Sequence, residues 1–363
     1  MSARHTSFGR TSVRPTSVRR TSVLRTSGGL SVSFRPRALL AGTGCALLAA
    51  VVSLLSLGSG DYPMSPATVL RTLLGAGTPA DSFIVDELRL PRVVTGLLVG
   101  AALALAGAVF QSLVRNPLGS PDMLGFTQGA ATGALVAIVV VGGSSAAVAG
   151  GAVVGGLVTG VLIHALAWRD GVHGHRLVLV GIGIAAILTG VNGYLLTQAQ
   201  VIEAARAVLW LTGSLDGRGW DNALPLLIAM VVLLPVMLFG HGRALRMLEM
   251  GDDMAYALGV PVERTRLLML GSAVLLASFA AGAAGPVAFV ALTSPQLARR
   301  LTGAPGPNLL SSMCVGAALL VSADWAAQRA FTGHQLPVGV VTGVLGGGYL
   351  TWLLAVERKA GRI

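Results

Sequence analysis

Residues 286–298 read Pro286-Val-Ala-Phe-Val-Ala-Leu-Thr-Ser-Pro295-Gln-Leu-Ala298. The stretch is apolar and uncharged, yet its 13 residues are too few to span a bilayer as a simple helix, which takes about 20. Whether it crosses decides the fold, because every later segment changes side with it. Basic residues gather on the cytoplasmic side of membrane proteins, so charge placement arbitrates. If the stretch crosses and the N-terminal tail is cytoplasmic, 20 Lys and Arg lie inside against 6 outside, namely Arg71, Arg89, Arg92, Arg206, Arg218 and Arg329. If it does not cross, Arg299, Arg300 and the Arg358-Lys359-Arg362 end move outside while Arg329 moves inside, and the ratio falls to 16 against 10. The crossing arrangement is therefore adopted. Gly282, Gly285 and Pro286 are the natural break in front of the short segment.

Outward from this point lie nine apolar runs of spanning character, at 38–57, 93–110, 123–141, 146–168, 177–199, 223–240, 267–285, 308–327 and 336–355. With the short segment they predict an all-α polytopic membrane protein of about ten transmembrane helices, both termini cytoplasmic. Composition agrees. Of 363 residues, 53% are hydrophobic and 11% charged, where soluble domains carry about 25% charged. So apolar a chain cannot cover a water-facing surface. Small-xxx-small spacings recur at Gly96/Gly100, Gly125/Gly129/Gly133, Gly151/Gly155, Gly156/Gly160 and Gly339/Gly343/Gly347. As a set they indicate a tightly packed bundle.

Residues 1–37 hold eight Arg and no acid, with Thr-Ser repeated at 6, 11, 16, 21 and 26. This low-complexity stretch is expected to be a disordered cytoplasmic tail. Residues 38–356 form the membrane-spanning bundle with a polar loop at 241–266, and 357–363 a basic cytoplasmic end. Of the net +11, the tail accounts for most, so the basic balance is a topology signal and not a nucleic-acid footprint. Cys45 and Cys314 stand in separate apolar runs and read as small space-fillers.

The chain shows no chemistry of its own. A phosphate-binding loop needs Gly-Lys-Ser/Thr, and the single lysine, Lys359, lies between Arg358 and Ala360. No His-Glu-x-x-His or Gly-x-Ser-x-Gly is present. No cofactor is expected on this chain. Asp324 is the one clear intramembrane acid, read as an interhelical hydrogen-bonding residue near the outer face. A conduit without an energy source directs attention to the 241–266 loop. There Asp252-Asp253 open a short helix, and Gly259 and Pro261 end it. Met254, Ala255 and Leu258 are expected along one face, suited to a partner's groove.

Several motifs, in order, carry a resemblance. They are Leu88-Arg89-Leu-Pro91-Arg92, Gly100-Ala-Ala-Leu-Ala-Leu-Ala-Gly107, Gln111, Arg115-Asn116-Pro117-Leu118, and Pro121-Asp122-Met-Leu124-Gly125. Leu177-Val-Leu-Val-Gly181, Trp210-Leu-Thr-Gly213-Ser-Leu, Gly251-Asp252 with Leu258-Gly259, Ala284-Gly285-Pro286, Ala323-Asp324 and Leu336-Pro337-Val-Gly339 follow. Together, over roughly 40–356, the chain resembles the iron-siderophore/vitamin B12 ABC-importer permease family.

The resemblance implies a type II ABC-importer permease bundle in a bacterial plasma membrane. It implies pairing with a second permease subunit, a heterodimer being favoured. Two ATP-binding subunits would sit below and an extracytoplasmic substrate-binding protein or lipoprotein above. Ferric siderophore is the expected substrate, with vitamin B12 or haem as the alternative. By the same resemblance, Gly251, Asp252, Asp253, Ala255, Leu258 and Gly259 belong to the ATPase coupling loop. Arg89, Arg92 and Arg329 belong to the binding-protein docking face. The third family arginine falls on Gln328 here, and Arg329 follows it, about 100° further round the helix. Asn116 and Leu118 match one wall of the cytoplasmic gate, and His173 and His175 stand where the family has small hydroxyl residues in the other. Gln296 stands where Pro-His is common. The rival readings are an ion-coupled secondary transporter, for which only Asp324 is available, and a signalling or scaffold membrane protein.

Overall fold

A computed structural model describes residues 22–25, 31–34, 36–168, 174–330 and 335–359. Residues 1–36 and 37–363 form separate units. In the first, strands β1 (Ser22–Arg25) and β2 (Ser31–Phe34) pair antiparallel. The ribbon is an exception to the disorder expected over 1–37, although four residues per strand bury too little for a core.

The second unit is helical. Its elements are α1 (Pro36–Gly58), α2 (Pro66–Leu73), α3 (Pro79–Val114), α4 (Phe126–Val140) and α5 (Ser145–Ala167). Next come α6 (Gly174–Gln198), α7 (Val201–Leu211), α8 (Trp220–Gly240), α9 (Gly242–Leu248) and α10 (Asp252–Ala257). The chain continues as α11 (Val262–Ala284), α12 (Val290–Thr302), α13 (Leu309–Ala327) and α14 (Val338–Lys359). Seven of these, α1, α3, α5, α6, α8, α11 and α13, are long and apolar enough to cross a membrane. The remaining expected spans correspond to the shorter α4, α12 and α14.

Helix α3 is the central pillar, with 83% of its apolar window buried, and α11 follows with 72%. It begins 14 residues before the expected span at 93. The cause is local: the Thr78 hydroxyl accepts the Asp81 N–H, the Asp81 carboxylate accepts from Thr78, and Pro79 takes the first helical position. A π-helical stretch, Phe83–Arg89, sits in the first turns of this helix.

The expected small-residue stripes mostly meet partners. Gly129 and Gly133 on α4 face Gly151 and Gly155 on α5, Gly100 faces Gly316, and Gly156 faces Ser278. Gly343 and Gly347 have open space instead. At Gly107 an added Cβ would overlap the Ala291 carbonyl. Gly107→Val should therefore cost about 3 kcal/mol, the upper end for overpacking, because backbone cannot yield. Gly343→Val should leave the chain's own stability unchanged. Thermal scans of both in one detergent decide the point; equal melting temperatures would refute this packing.

The two ends of the bundle gather different residues. We call them inner and outer, following the charge count. At the inner end, Arg37 Nε donates to the Leu301 carbonyl (2.8 Å), and Arg299 lies 3.9 Å from Glu249. At the outer end, Arg89 donates to the Leu57 and Tyr62 carbonyls, both at 2.7 Å. The short segment that opened the sequence reading becomes α12, running from the outer-end turn at Gly285–Pro286 to Arg299 at the inner end. Gly285 and Pro286 pack on Trp210 and Gly213.

Candidate functional site

The outer cluster is built on α3 and α13. Arg92 Nε and Nη2 donate to the two Asp324 carboxylate oxygens, each at 3.0 Å. Its Nη1 reaches Gln335 Oε1 (2.8 Å) and Asp216 Oδ1 (3.3 Å). Gln328 Nε2 donates to Asp324 Oδ2 (2.8 Å). The pair is enclosed, with side-chain exposures of 14% for Arg92 and 5% for Asp324. A fork-to-carboxylate pair in so little water is strong and directional. Arg92, expected on the docking face, is thus largely an internal bracket joining α3, α13, the 213–219 loop and the start of the α14 segment. Asp324 is interhelical, as its position suggested. Arg329 is exposed, donates to Ser59 Oγ (2.8 Å), and lies 4.8 Å over the Trp325 ring. Arg89 is half-buried.

The segment expected to form the inner gate is broken. Arg115 takes a left-handed conformation (φ 55°) and ends α3. The chain then runs without helix to Gly125. Asn116 Oδ1 accepts the Leu118 N–H (2.9 Å), a local turn that leaves both residues exposed. Gln296 Nε2 on α12 donates to the Pro117 carbonyl (2.7 Å), and Gln111 Nε2 on α3 donates to the Leu292 carbonyl (3.0 Å). Thr127 Oγ1 donates to Asp122 Oδ1 (2.9 Å). The Leu124 carbonyl packs 2.8 Å from where a Cβ of Gly181 would stand, two turns into α6. Non-helical backbone at such depth survives only when protein groups satisfy it. The departure at Gln296 therefore has a physical role: it holds the gate loop against α12. The start of α6 packs beside this segment, with Gly174 against the Val114 backbone. His175 is exposed there, and His173 lies outside the described residues.

The loop expected to couple to an ATPase folds as α9 and α10. Gly251 (φ 117°) and Gly259 (φ 78°) bracket α10 in conformations that disfavour other residues. Arg266 Nη2 donates to both Asp252 oxygens at 2.9 Å, anchoring α10 to α11. Glu249 accepts from Ser112 Oγ (2.7 Å) on α3. Met254, Tyr256 and Leu258 are exposed, Tyr256 at 78%. Ala255 departs from expectation and is fully buried. Met254 and Leu258 are one turn apart and share a face, whereas Ala255 is about 100° round and turns inward with Asp252. Asp253 is exposed. Sequence reasoning quoted Gln111 only as a motif residue, without a role, and did not single out Ser112, Glu249 or Arg266. Their signal was a polar or charged side chain at the edge of an apolar run.

The described residues thus hold a buried helical pillar, a non-helical segment at its inner end, and a short exposed helix tied to α11 and, through the turn before it, to α3. A profile of the FecCD transport family matches residues 47–356. The chain is 46% identical to the ferric enterobactin transport system permease protein FepG of Escherichia coli (strain K12), over 85% of this chain and 93% of that one. It is 36% identical to the iron(3+)-hydroxamate import system permease protein FhuG of Bacillus subtilis (strain 168), over 85% and 94%. Among solved structures, an inward-facing metal-chelate type ABC transporter superposes with a TM-score of 0.77 at 26% identity, over 88% of this chain and 99% of that one. The chain belongs to the FecCD transport family. It is a multi-pass inner-membrane permease subunit of an ABC importer, and not itself an enzyme.

Proposed function

We propose that this chain and a second, different permease subunit form the passage for a ferric siderophore, with ten crossings and both termini cytoplasmic. Two ATP-binding subunits drive it from below, and an extracytoplasmic binding protein supplies it from above. The observation that carries the reading is the linkage at the inner end. The helix presenting Met254, Tyr256 and Leu258 is anchored through Arg266 to α11, and the turn before it through Glu249 and Ser112 to α3, whose end is the gate. Movement of an ATPase against that helix reaches Asn116 and Leu118 through protein, without a mobile linker. Gly251, Asp252, Asp253, Leu258 and Gly259 form the coupling surface, and Ala255 supports it from below. His173 and His175 form the opposite gate wall.

Ferric siderophore is preferred over vitamin B12 or haem because the relative at 46% identity is named for ferric enterobactin. Radio-iron uptake tests it: deleting this chain should abolish uptake of one ferric siderophore and spare cobalamin, and the reverse pattern would overturn the choice. An ion-coupled mechanism is disfavoured because both Asp324 oxygens are already engaged by Arg92 and Gln328.

Arg89 and Arg329 are assigned to the binding-protein face, with the exposed Arg329 contributing most and Arg92 bracing that face from within. Arg329→Glu should weaken binding-protein association about tenfold at low salt and less at high salt, since rim charges are screened. Surface plasmon resonance at two ionic strengths checks this; salt-independent affinity would contradict the assignment.

A further inference from the structure

An apolar groove of about 480 Å³ opens between α1 and α8, and none of its lining residues belongs to the outer cluster or to the 115–125 segment. Ala46, Ala49 and Ala50 form one wall, Leu227, Val231 and Leu234 the other, and Ala101 and Met230 the floor. Ala46, Ala50, Leu227 and Val231 are exposed along its length, so the groove faces outward from the bundle. Polar lining is nearly absent, and a space so apolar does not hold water. Helix α1 needs a filler there. It is the least buried of the seven long helices, with 17% of its window covered.

The occupant is indicated by charge at one end. On α1, Arg37 lies nine residues toward the inner end from Ala46. Beyond α8, Arg243 lies nine residues past Leu234, also toward the inner end. At about 1.5 Å per helical residue, Arg37 sits roughly 14 Å from the groove, and Arg243 lies just past the inner end of α8, at the start of α9. One leaflet contributes about half of a 30 Å hydrocarbon core, so a chain anchored at the arginines reaches the groove. Both arginines are exposed, and neither forms an ion pair among the described residues. The nearest acid in sequence, Glu249, is already held by Ser112 and Arg299.

We propose that this groove binds one anionic phospholipid of the inner leaflet, with an acyl chain between α1 and α8 and the phosphate at Arg37 and Arg243. The lipid completes the packing of α1, and its recognition combines apolar fit with headgroup charge.

Native mass spectrometry of the purified full chain, delipidated and titrated with palmitoyl-oleoyl phosphatidylglycerol or phosphatidylcholine, tests this. Wild type should retain one phosphatidylglycerol at least fivefold better than phosphatidylcholine. Arg37→Gln with Arg243→Gln should bring the two lipids to parity. Ala50→Trp, which fills the groove from its open side, should lower retention of either lipid at least fivefold; Leu227→Phe is the second variant if that one does not fold. Equal retention of the two lipids by wild type, or wild-type retention by a folded groove variant, overturns the proposal. So does loss of pairing with a second permease in Ala50→Trp without loss of lipid, which would make the groove a protein interface.

Discussion

Arg92→Ala should lower stability by about 3–5 kcal/mol, because it leaves the Asp324 carboxylate buried with Gln328 as its one remaining side-chain partner among the described residues. In a thermal scan this is a fall of roughly 5–10 °C. The double variant Arg92→Ala/Asp324→Ala should recover much of the loss, since neither charge is then stranded. The cycle separates two roles for Arg92 that binding data alone would merge. An internal bracket shows strong coupling between positions 92 and 324. A docking arginine shows none, and Arg92→Ala then weakens binding-protein association at unchanged melting temperature.

The second large effect is expected at the coupling helix. Leu258→Arg should reduce ATP-dependent uptake at least tenfold while the amount of folded protein in the membrane stays the same. Leu258 has ordinary backbone geometry (φ −84°) and an exposed side chain, so the change alters the surface without straining the fold. Gly259→Arg should also uncouple transport, but it adds about 1–2 kcal/mol of left-handed strain. Leu258→Arg is therefore the cleaner variant. Uptake at the wild-type rate in it would remove α10 from the coupling path.

Much of this organisation was legible in the sequence because hydropathy and charge report burial and side directly. The runs at 146–168, 177–199 and 308–327 correspond within three residues to α5, α6 and α13. The short stretch from Pro286 was placed by counting arginines, and it folds as α12, whose Arg299 lies 3.9 Å from Glu249. Hydropathy was blind where helices are set by capping: Thr78-Pro79-Ala-Asp81 extends α3 outward through polar residues. It was equally blind to the amphipathic α2 and α7, which are too short and too polar to register as spans.

The site was legible in type more than in detail. Gly251, Asp252 and Gly259 were readable because a turn glycine and an acid at a helix start each have a local cause. Arg92 was not, because its partners at 216, 324 and 335 come from distant segments, and no local rule couples them. Gln111 and Gln296 carried a usable signal: a long polar side chain within an apolar segment must find a partner. What they hold, the carbonyls of Leu292 and Pro117, depends on where the helices break.

The central claim is that this chain is a passage powered by separate subunits, and affinity purification from its native membrane in mild detergent tests it most directly. Mass spectrometry should recover an ATP-binding subunit and a second, different permease with it. Recovery of the chain alone, under conditions that keep a known ABC complex intact, would contradict the account.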